Sequence, residues 1–397
     1  MQPRHAHIVW HPGRRELPPP APLATWLAAR TDDPWAPTVA LIDGREPDDP
    51  DRVVGNWIDA WAVVAAGDGA AAGGAARRLD ADDVVDVGAP SSIWQRRLAA
   101  LTRLAALRRE ARRRREAALA YFNHPASPPV PETVRPPVLF VGAPGPHKLV
   151  AVDALTGWSV AAYAETTAHA QRHLETGAYA AVVVTEPLDA VTLHDQLAPL
   201  VATGGPGTPS FVVFRRPDAR FAVADAHAAG ADEVLDPNLP RDLLQRRLTM
   251  ALELAALRCE LRGEHAFRGA VDPISGRLGH SPFHAYLQSQ LALARTPGTA
   301  GFVAVVLDNL DELNRTAGFA AGDRALAATG HALRIGVRAE DAVGRLDGAS
   351  FGIWFADITD TDLAAIGERL RLAVARAAPG AAGATLGART GWTRPGE

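Results

Sequence analysis

Cysteine is nearly absent from this 397-residue chain. Cys259 is the only one, which excludes an internal disulfide and leaves a zinc–thiolate cluster without ligands. Lysine is scarce as well, and 45 acids against 41 bases give a formal net charge of −4. That balance offers no broad cationic surface on which to wrap nucleic acid. No apolar run approaches the ~20 residues that span a bilayer, and the opening MQPRHAHIVW has no signal-peptide core. The expectation is a cytoplasmic chain with no nucleic-acid partner and no membrane insertion. Ala, Arg, Gly and Pro are plentiful, a composition that reads as coding bias. The hydrophobic fraction of 47% is ordinary for globular protein, and the length suits two or three domains.

Taken in order, residues 7–10, 38–42, 62–66 and 84–87 read as short buried strands, and Pro22 to Arg30 has helical spacing through Leu23, Trp26 and Leu27. Strands alternating with helices predict a parallel sheet covered on both faces. A long helix follows, roughly Ser91 to Ala120, with Leu98, Leu101, Leu104 and Leu107 as its apolar stripe. Its basic end, Arg108, Arg109 and Arg112 to Arg115, reads as a solvated helix end or strut. A proline-rich linker covers 123–136. The pattern then restarts, with strands at 137–141, 158–162, 180–184, 210–214 and 233–235 and a helix from Pro240 to Leu261. Five strands alternating with helices is a flavodoxin-like arrangement. Gln95-Arg96-Arg97-Leu98 recurs as Gln245-Arg246-Arg247-Leu248, and Leu104-Ala105-Ala106-Leu107-Arg108 as Leu254-Ala255-Ala256-Leu257-Arg258. Both recurrences are 150 residues apart and each ends a strand–helix block, so the two blocks are related units. The expected domains are 1–122, 137–263 and 264–397.

The third segment is organised differently. Helices are expected over 283–294, 322–337 and 360–378, and strands over 302–307, 342–345, 351–355 and 384–392. The strands 342–345 and 351–355 flank a tight turn at Asp347-Gly348, where glycine would supply a left-handed backbone. The turn reads Asp347-Gly348-Ala349-Ser350-Phe351, and Arg338 and Asp341 precede it as Arg-x-x-Asp. By itself, Arg-x-x-Asp reads as a common surface ion pair.

Asp272-Pro273-Ile274-Ser275-Gly276-Arg277-Leu278, the set Asn314, Gly318, Gly322 and Asp323, the turn, the Arg-x-x-Asp and Glu368-Arg369-Leu370-Arg371 together resemble a GGDEF (diguanylate cyclase) domain. The resemblance implies an α+β, nucleotidyl-cyclase-like fold. A cyclase of this family carries Gly-Gly-Asp/Glu-Glu-Phe at the turn and two magnesium carboxylates, one on the first strand and one in the turn. Those positions are Val306 and Ala349, neither of which can ligate metal. Asp347 replaces the first glycine and would repel phosphates. Asp308 lies two residues beyond Val306 and, with Asp347, is the one source of partial compensation. Asn314 and Asp323 match the family's guanine-recognising pair. Arg338 and Asp341, joined by Arg369, match its product site for cyclic di-GMP, which in PleD-like regulators a receiver arginine completes. The family's closing helix has no counterpart before Glu397.

Two receiver-like blocks ahead of a GGDEF domain resemble the PleD-like architecture, and most of all its degenerate PopA-like members, which are cyclic di-GMP receptors. A phosphorylatable receiver has an acidic pair, an aspartate and a lysine at its first, third and fifth strand ends. The first block has Trp10-His11 and Gly88 at the outer positions, with Asp43 as its candidate phospho-acceptor. The second has Gly142-Ala143, Thr185 and Asp236. The resemblance implies a non-enzymatic effector that binds cyclic di-GMP without metal or other cofactor. Its partners would be signalling or proteolysis-adaptor proteins, with homodimerisation through the receivers, a role in cell-cycle control and recruitment to a cell pole by analogy. The alternatives are a weak or conditional diguanylate cyclase and a ligand-free dimerisation scaffold.

Overall fold

The computed structural model describes residues 7–11, 19–20, 27, 38–43, 58–65, 80–123, 135–185, 190–203, 209–216, 218–263, 265–267, 269–293, 300–356, 358, 360–377 and 386–394. Leu27 apart, the helix expected at Pro22 to Arg30 lies outside them, as does most of the proline-rich stretch. The chain divides into two compact units. One comprises Met1–Arg30, Pro37–Ala105 and Pro129–Cys259, the other Thr31–Ala36, Ala106–Pro128 and Glu260–Glu397. No helix among the described residues is long and apolar enough to cross a membrane.

The first unit holds two parallel sheets. Strands β1 (His7–His11), β2 (Thr38–Asp43), β3 (Ala60–Ala65) and β4 (Asp83–Asp86) lie side by side in chain order. Val39, Ala40, Leu41 and Ile42 form an unbroken apolar run, as a strand covered on both faces requires. Asp59 opens β3 by accepting the Thr38 amide at 2.9 Å. Helix α1 (Ser91–Phe122) follows, and its expected stripe of Leu98, Leu101, Leu104 and Leu107 is buried.

The second sheet runs β5 (Pro137–Val141), β6 (Val160–Ala164), β7 (Ala181–Val184), β8 (Ser210–Phe214) and β9 (Glu233–Leu235), paired in the order β6-β5-β7-β8-β9 with every pair parallel. Its helices are α2 (Pro146–Ala154), α3 (Thr167–Thr176), α4 (Ala190–Thr203), α5 (Val223–Ala228) and α6 (Arg241–Arg262). Alternate strand residues divide between two cores. Leu139, Val182 and Val213 face Ala170, Leu193, Leu197 and Ala226 of α3, α4 and α5. Val138, Val183 and Val212 face Ala151, Leu244, Leu248 and Ala251 of α2 and α6.

An ion cluster ties the two blocks of this unit together. Fully buried Asp83 accepts Arg97 Nε at 2.5 Å and Arg247 Nε at 3.3 Å, while Arg97 Nη1 also donates to Glu233 at 2.6 Å. Arg97 and Arg247 stand 150 residues apart, as do Asp83 and Glu233, so equivalent positions of the repeat meet in one cluster. Burial alone would raise the Asp83 carboxyl, but Arg97 and Arg247 outweigh it and hold it below the usual carboxylate range. Beside the cluster, Asp232 accepts Arg258 at 2.7 Å and Arg103 at 3.1 Å.

The second unit contains the C-terminal part of α1 and an antiparallel sheet. Its further elements are α7 (His280–Leu293), β10 (Gly301–Leu307), α8 (Leu310–Ala317), α9 (Phe319–Gly336), β11 (Ala342–Asp347), β12 (Ser350–Phe355), α10 (Asp360–Ala377) and β13 (Ala388–Thr393), with strand order β11-β12-β10-β13. In β10 the alternation is strict. Val303, Val305 and Leu307 enter a core with Leu333 of α9 and Leu370 of α10. The cross-strand pair Gly344 and Gly352 receives the Phe283 ring of α7. A Cβ on Gly344 would sit 2.1 Å from that ring and one on Gly352 2.7 Å, so this close approach admits glycine alone.

Replacing Asp83 with alanine leaves buried Arg97 with Glu233 as its remaining acid and takes from Arg247 the carboxylate it bonds, and is expected to cost about 3 kcal/mol of stability. Urea unfolding followed by tryptophan fluorescence measures it, with Arg241→Ala, which breaks a solvent-exposed pair with Asp153, leaving the midpoint unchanged. Asp83 ionises more readily folded than unfolded. Its contribution is therefore complete above about pH 4 and lost as pH falls through the lower folded value, and the variant lacks that acid-side decline.

Candidate functional site

The signature pentapeptide closes the hairpin between β11 and β12. Sequence chemistry predicts a left-handed Gly348, but the glycines at positive φ among the described residues are Gly142, Gly157, Gly230, Gly269, Gly276 and Gly318. The turn closes instead through a register shift between Arg345 and Asp347 and an arginine clamp. Arg345 donates from Nη2 to Gly348 O at 2.7 Å, from Nε to Asp347 O at 3.3 Å and from Nη1 to both Asp272 oxygens at 3.2 Å. Asp272 caps its own loop by accepting the Ser275 amide at 2.7 Å, and Gly276 completes that loop at φ 66°. Burial would raise the Asp272 carboxyl, but bonds from Ser275 and the charge of Arg345 hold it low.

Val306 and Ala349 are brought close together. Val306 pairs with Ser350, and the amide of Leu307 donates to Ala349 O at 3.0 Å. These are neighbouring positions of the kind that could share a cation, yet neither side chain has an oxygen, so the pair does not fit Mg²⁺. Asp308, the nearby acid, accepts Arg389 Nε at 2.6 Å. Asp347 points to solvent. Among the described residues, no three His, Cys, Asp or Glu side chains gather as a metal site.

Asn314 lies in the middle of α8, against Gly322 in the first turns of α9. Its Oδ1 is buried without a hydrogen bond and stands 2.0 Å from where a Gly322 Cβ would be. Asp323, the other member of the predicted guanine pair, is the next residue and is exposed.

The Arg-x-x-Asp forms a closed loop directly after α9. The Arg338 amide donates to Asp341 Oδ2 at 2.7 Å, and the Asp341 amide to Arg338 O at 3.3 Å. Arg338 is exposed, while Asp341 is only 4% exposed. One carboxylate oxygen expected to face a base thus shapes the loop. Arg369 reaches over from α10, donating from Nη2 to Gly336 O at 2.9 Å. Arg338, Asp341 and Arg369 therefore gather at the C-terminal end of α9, with both guanidiniums on exposed residues. Beneath them, buried Arg334 donates from Nη1 to Asp341 O at 2.7 Å and from Nη2 to Arg338 O. Arg334 was missed by sequence reasoning, although a cation in the last helical turn suits the free carbonyls there.

In the first sheet, Trp10 and His11 are partly buried in β1, and burial lowers the His11 pKa. Asp43 ends β2, but its side chain lies outside the described residues. The Gly88 amide donates to Asp86 at 2.9 Å. In the second sheet, Gly142 O accepts the Nζ of Lys148, the chain's single lysine, at 2.7 Å. Thr185 is fully buried and donates to Val141 O at 3.2 Å, and Asp236 accepts the Asn238 amide at 2.8 Å.

Residues 270–387 match the family model described as diguanylate cyclase, GGDEF domain. This stretch is a GGDEF domain. Similar solved structures include the diguanylate cyclase SiaD of Pseudomonas aeruginosa in complex with its activator SiaC, 24% identical over 32% of this chain and 52% of that one, TM-score 0.30. The chain thus matches about half the length of SiaD. Another is the GGDEF domain of DgcB from Caulobacter crescentus in complex with c-di-GMP, 19% identical over 32% of this chain and 80% of that one, TM-score 0.29. A third is the FimX GGDEF domain of Pseudomonas aeruginosa, 19% identical with the same coverage and TM-score 0.30. No curated protein matches the chain.

Removing the clamp with Arg345→Ala takes the shared donor from the Asp347 and Gly348 carbonyls and leaves the Asp272 carboxylate its bond from Ser275. A loss of about 1–3 kcal/mol is expected on urea unfolding, whereas Asp347→Ala, at an exposed side chain, stays within about 0.5 kcal/mol of the parent.

Proposed function

We propose that the chain is a cyclic di-GMP receptor whose GGDEF domain binds the dinucleotide at the Arg-x-x-Asp loop and does not synthesise it. The observation that carries this reading is the gathering of Arg338 and Arg369, both exposed, over the loop that Asp341 closes. An exposed arginine on the loop and a second that reaches Gly336 just before it offer planar forks suited to the O6/N7 edges of a guanine dinucleotide, each contact worth about 1–3 kcal/mol. Asp341 supports the reading mainly as the residue that holds the loop.

Cyclase chemistry needs divalent cation to neutralise the charge that develops on a transferring phosphoryl group. Val306 and Ala349 offer no oxygen to hold one, and the Asp308 carboxylate is engaged by Arg389. A weak or conditional cyclase is therefore the second reading, and a ligand-free scaffold the third.

The N-terminal blocks supply the output in this reading. The parallel strand order β6-β5-β7-β8-β9 matches the 2-1-3-4-5 order of flavodoxin-like folds, which supports reading the second block as receiver-like. Gly142, Ala143, Thr185 and Asp236 stand where a phosphorylatable receiver needs two acids, an acceptor and a lysine, so the second block acts as an adaptor. Homodimerisation through the receivers, a proteolysis adaptor as partner and a place in cell-cycle control follow by family analogy.

Calorimetric titration of cyclic di-GMP into the full chain, Arg338→Ala and Arg369→Ala tests the reading. A Kd of about 1 μM or tighter, weakened by about tenfold or more in each variant, is the expected result, with no pyrophosphate released from GTP and Mg²⁺. A flat titration of the parent favours the scaffold, and pyrophosphate release establishes the cyclase.

A further inference from the structure

The basic end of α1 reads as solvated from sequence, but in the second unit it is partly buried. Arg113 and Arg114 are 9% and 1% exposed. Arg114 donates from Nε to Glu110 Oε1 at 2.7 Å and from Nη1 to Leu261 O at 2.8 Å. Its Nη2 donates to Asp341 O at 3.0 Å and Glu340 O at 3.3 Å. Glu110 is also buried, and the same Oε1 accepts the hydroxyl of Tyr286, a fully buried residue of α7, at 2.8 Å. The Arg114 guanidinium stands 5.8 Å from the centre of the Tyr286 ring. A single side chain of α1 thus joins the end of α6, an anchor on α7 and two carbonyls of the Arg338–Asp341 loop. Asp341 O accepts from Arg114 and Arg334 at once, so the loop is gripped by α1 as well as by its own helix.

We propose that Arg114, oriented by Glu110 and Tyr286, is a positioning residue for the cyclic-dinucleotide site, coupling the placement of α1 to occupancy of the Arg338–Asp341 loop. The proposal rests on the receptor reading above. A shift of α1 along or about its axis withdraws the fork from Glu340 O and Asp341 O and releases the turn that presents Arg338. Coupling of this kind is reciprocal, so dinucleotide bound at the loop also steadies α1. Neither Arg114 nor Glu110 touches the ligand in this scheme.

The test titrates cyclic di-GMP into the full chain and into Arg338→Ala, Arg114→Met, Arg114→Lys and Val305→Ala, at a temperature where circular dichroism shows each folded. Arg114→Met is expected to weaken binding by about tenfold. Arg114→Lys, which keeps the charge but cannot span two carbonyls, falls between. Val305→Ala loosens the core of the same unit without touching the loop and binds as the parent does. Parent-like binding by Arg114→Met, where Arg338→Ala has lost it, overturns the proposal. An equal loss in Val305→Ala and Arg114→Met also overturns it, since global loosening would then account for both. Absence of binding by the parent removes the receptor reading and this inference with it. Should Arg114→Met not fold, amide exchange of the parent decides. Ligand is expected to slow exchange in residues 106–118 as well as 338–341, and protection confined to 338–341 overturns the coupling.

Discussion

A guanidinium held against backbone carbonyls recurs through both units. Carbonyls at helix ends and in tight loops have no partner within secondary structure, and leaving one dry and unpaired costs about 1–3 kcal/mol. Arg334 serves Arg338 and Asp341, Arg114 serves Leu261, Glu340 and Asp341, and Arg369 serves Gly336. Arg345 serves Asp347 and Gly348, Arg246 serves Ala81, and Arg215 serves Phe221 and Ala219. Five donors in a rigid fork let one side chain satisfy two or three acceptors, which the point charge of lysine does less well. The irregular segments that carry the candidate site are fixed in this way by the chain itself.

Those segments fall into two chemistries. At the hairpin, Val306 and Ala349 meet without a side-chain oxygen between them, Asp347 is exposed, and Asp272 and Asp308 are engaged by arginine. At the end of α9, exposed Arg338 and Arg369 border a loop in which the Arg338, Glu340 and Asp341 carbonyls and one Asp341 carboxylate oxygen accept hydrogen bonds. In the reading proposed above, the first arrangement holds no cation for a transferring phosphoryl group. In the same reading, the second offers planar donors on a loop already held by hydrogen bonds, which limits the ordering that binding has to offset.

The repeat in the first unit has a structural consequence beyond resemblance between blocks. Asp83 and Glu233, with Arg97 and Arg247, occupy equivalent places, and they meet in one buried cluster. Each block brings the acid at the start of its last strand and the arginine of its last helix. Either block alone would leave these charges without their full set of partners, so the pair is stabilised as a pair.

Much of this was legible in the chain. The apolar runs of β2, β5, β7 and β8, the strict alternation of β10 and the leucine stripe of α1 follow from side-chain periodicity, which local backbone geometry imposes on any buried strand or helix. The Asp272–Leu278 and Arg338–Phe351 motifs were readable as contiguous stretches that resemble a known family, although Asp272 and Arg114 hold the second from far away in the chain. The conformation of Gly348 was not, because Arg345 replaces the expected left-handed turn with a clamp. Nor was the fate of the arginine run in α1. Arg112 to Arg115 look alike in sequence, and only the docking of Leu261, Tyr286 and the Glu340–Asp341 carbonyls around one of them makes Arg114 a buried fork. Local order was thus set by the sequence through short-range sterics and periodicity. Which charges are buried, and against what, was decided by tertiary structure, because burial is a property of neighbours that arrive from more than a hundred residues away.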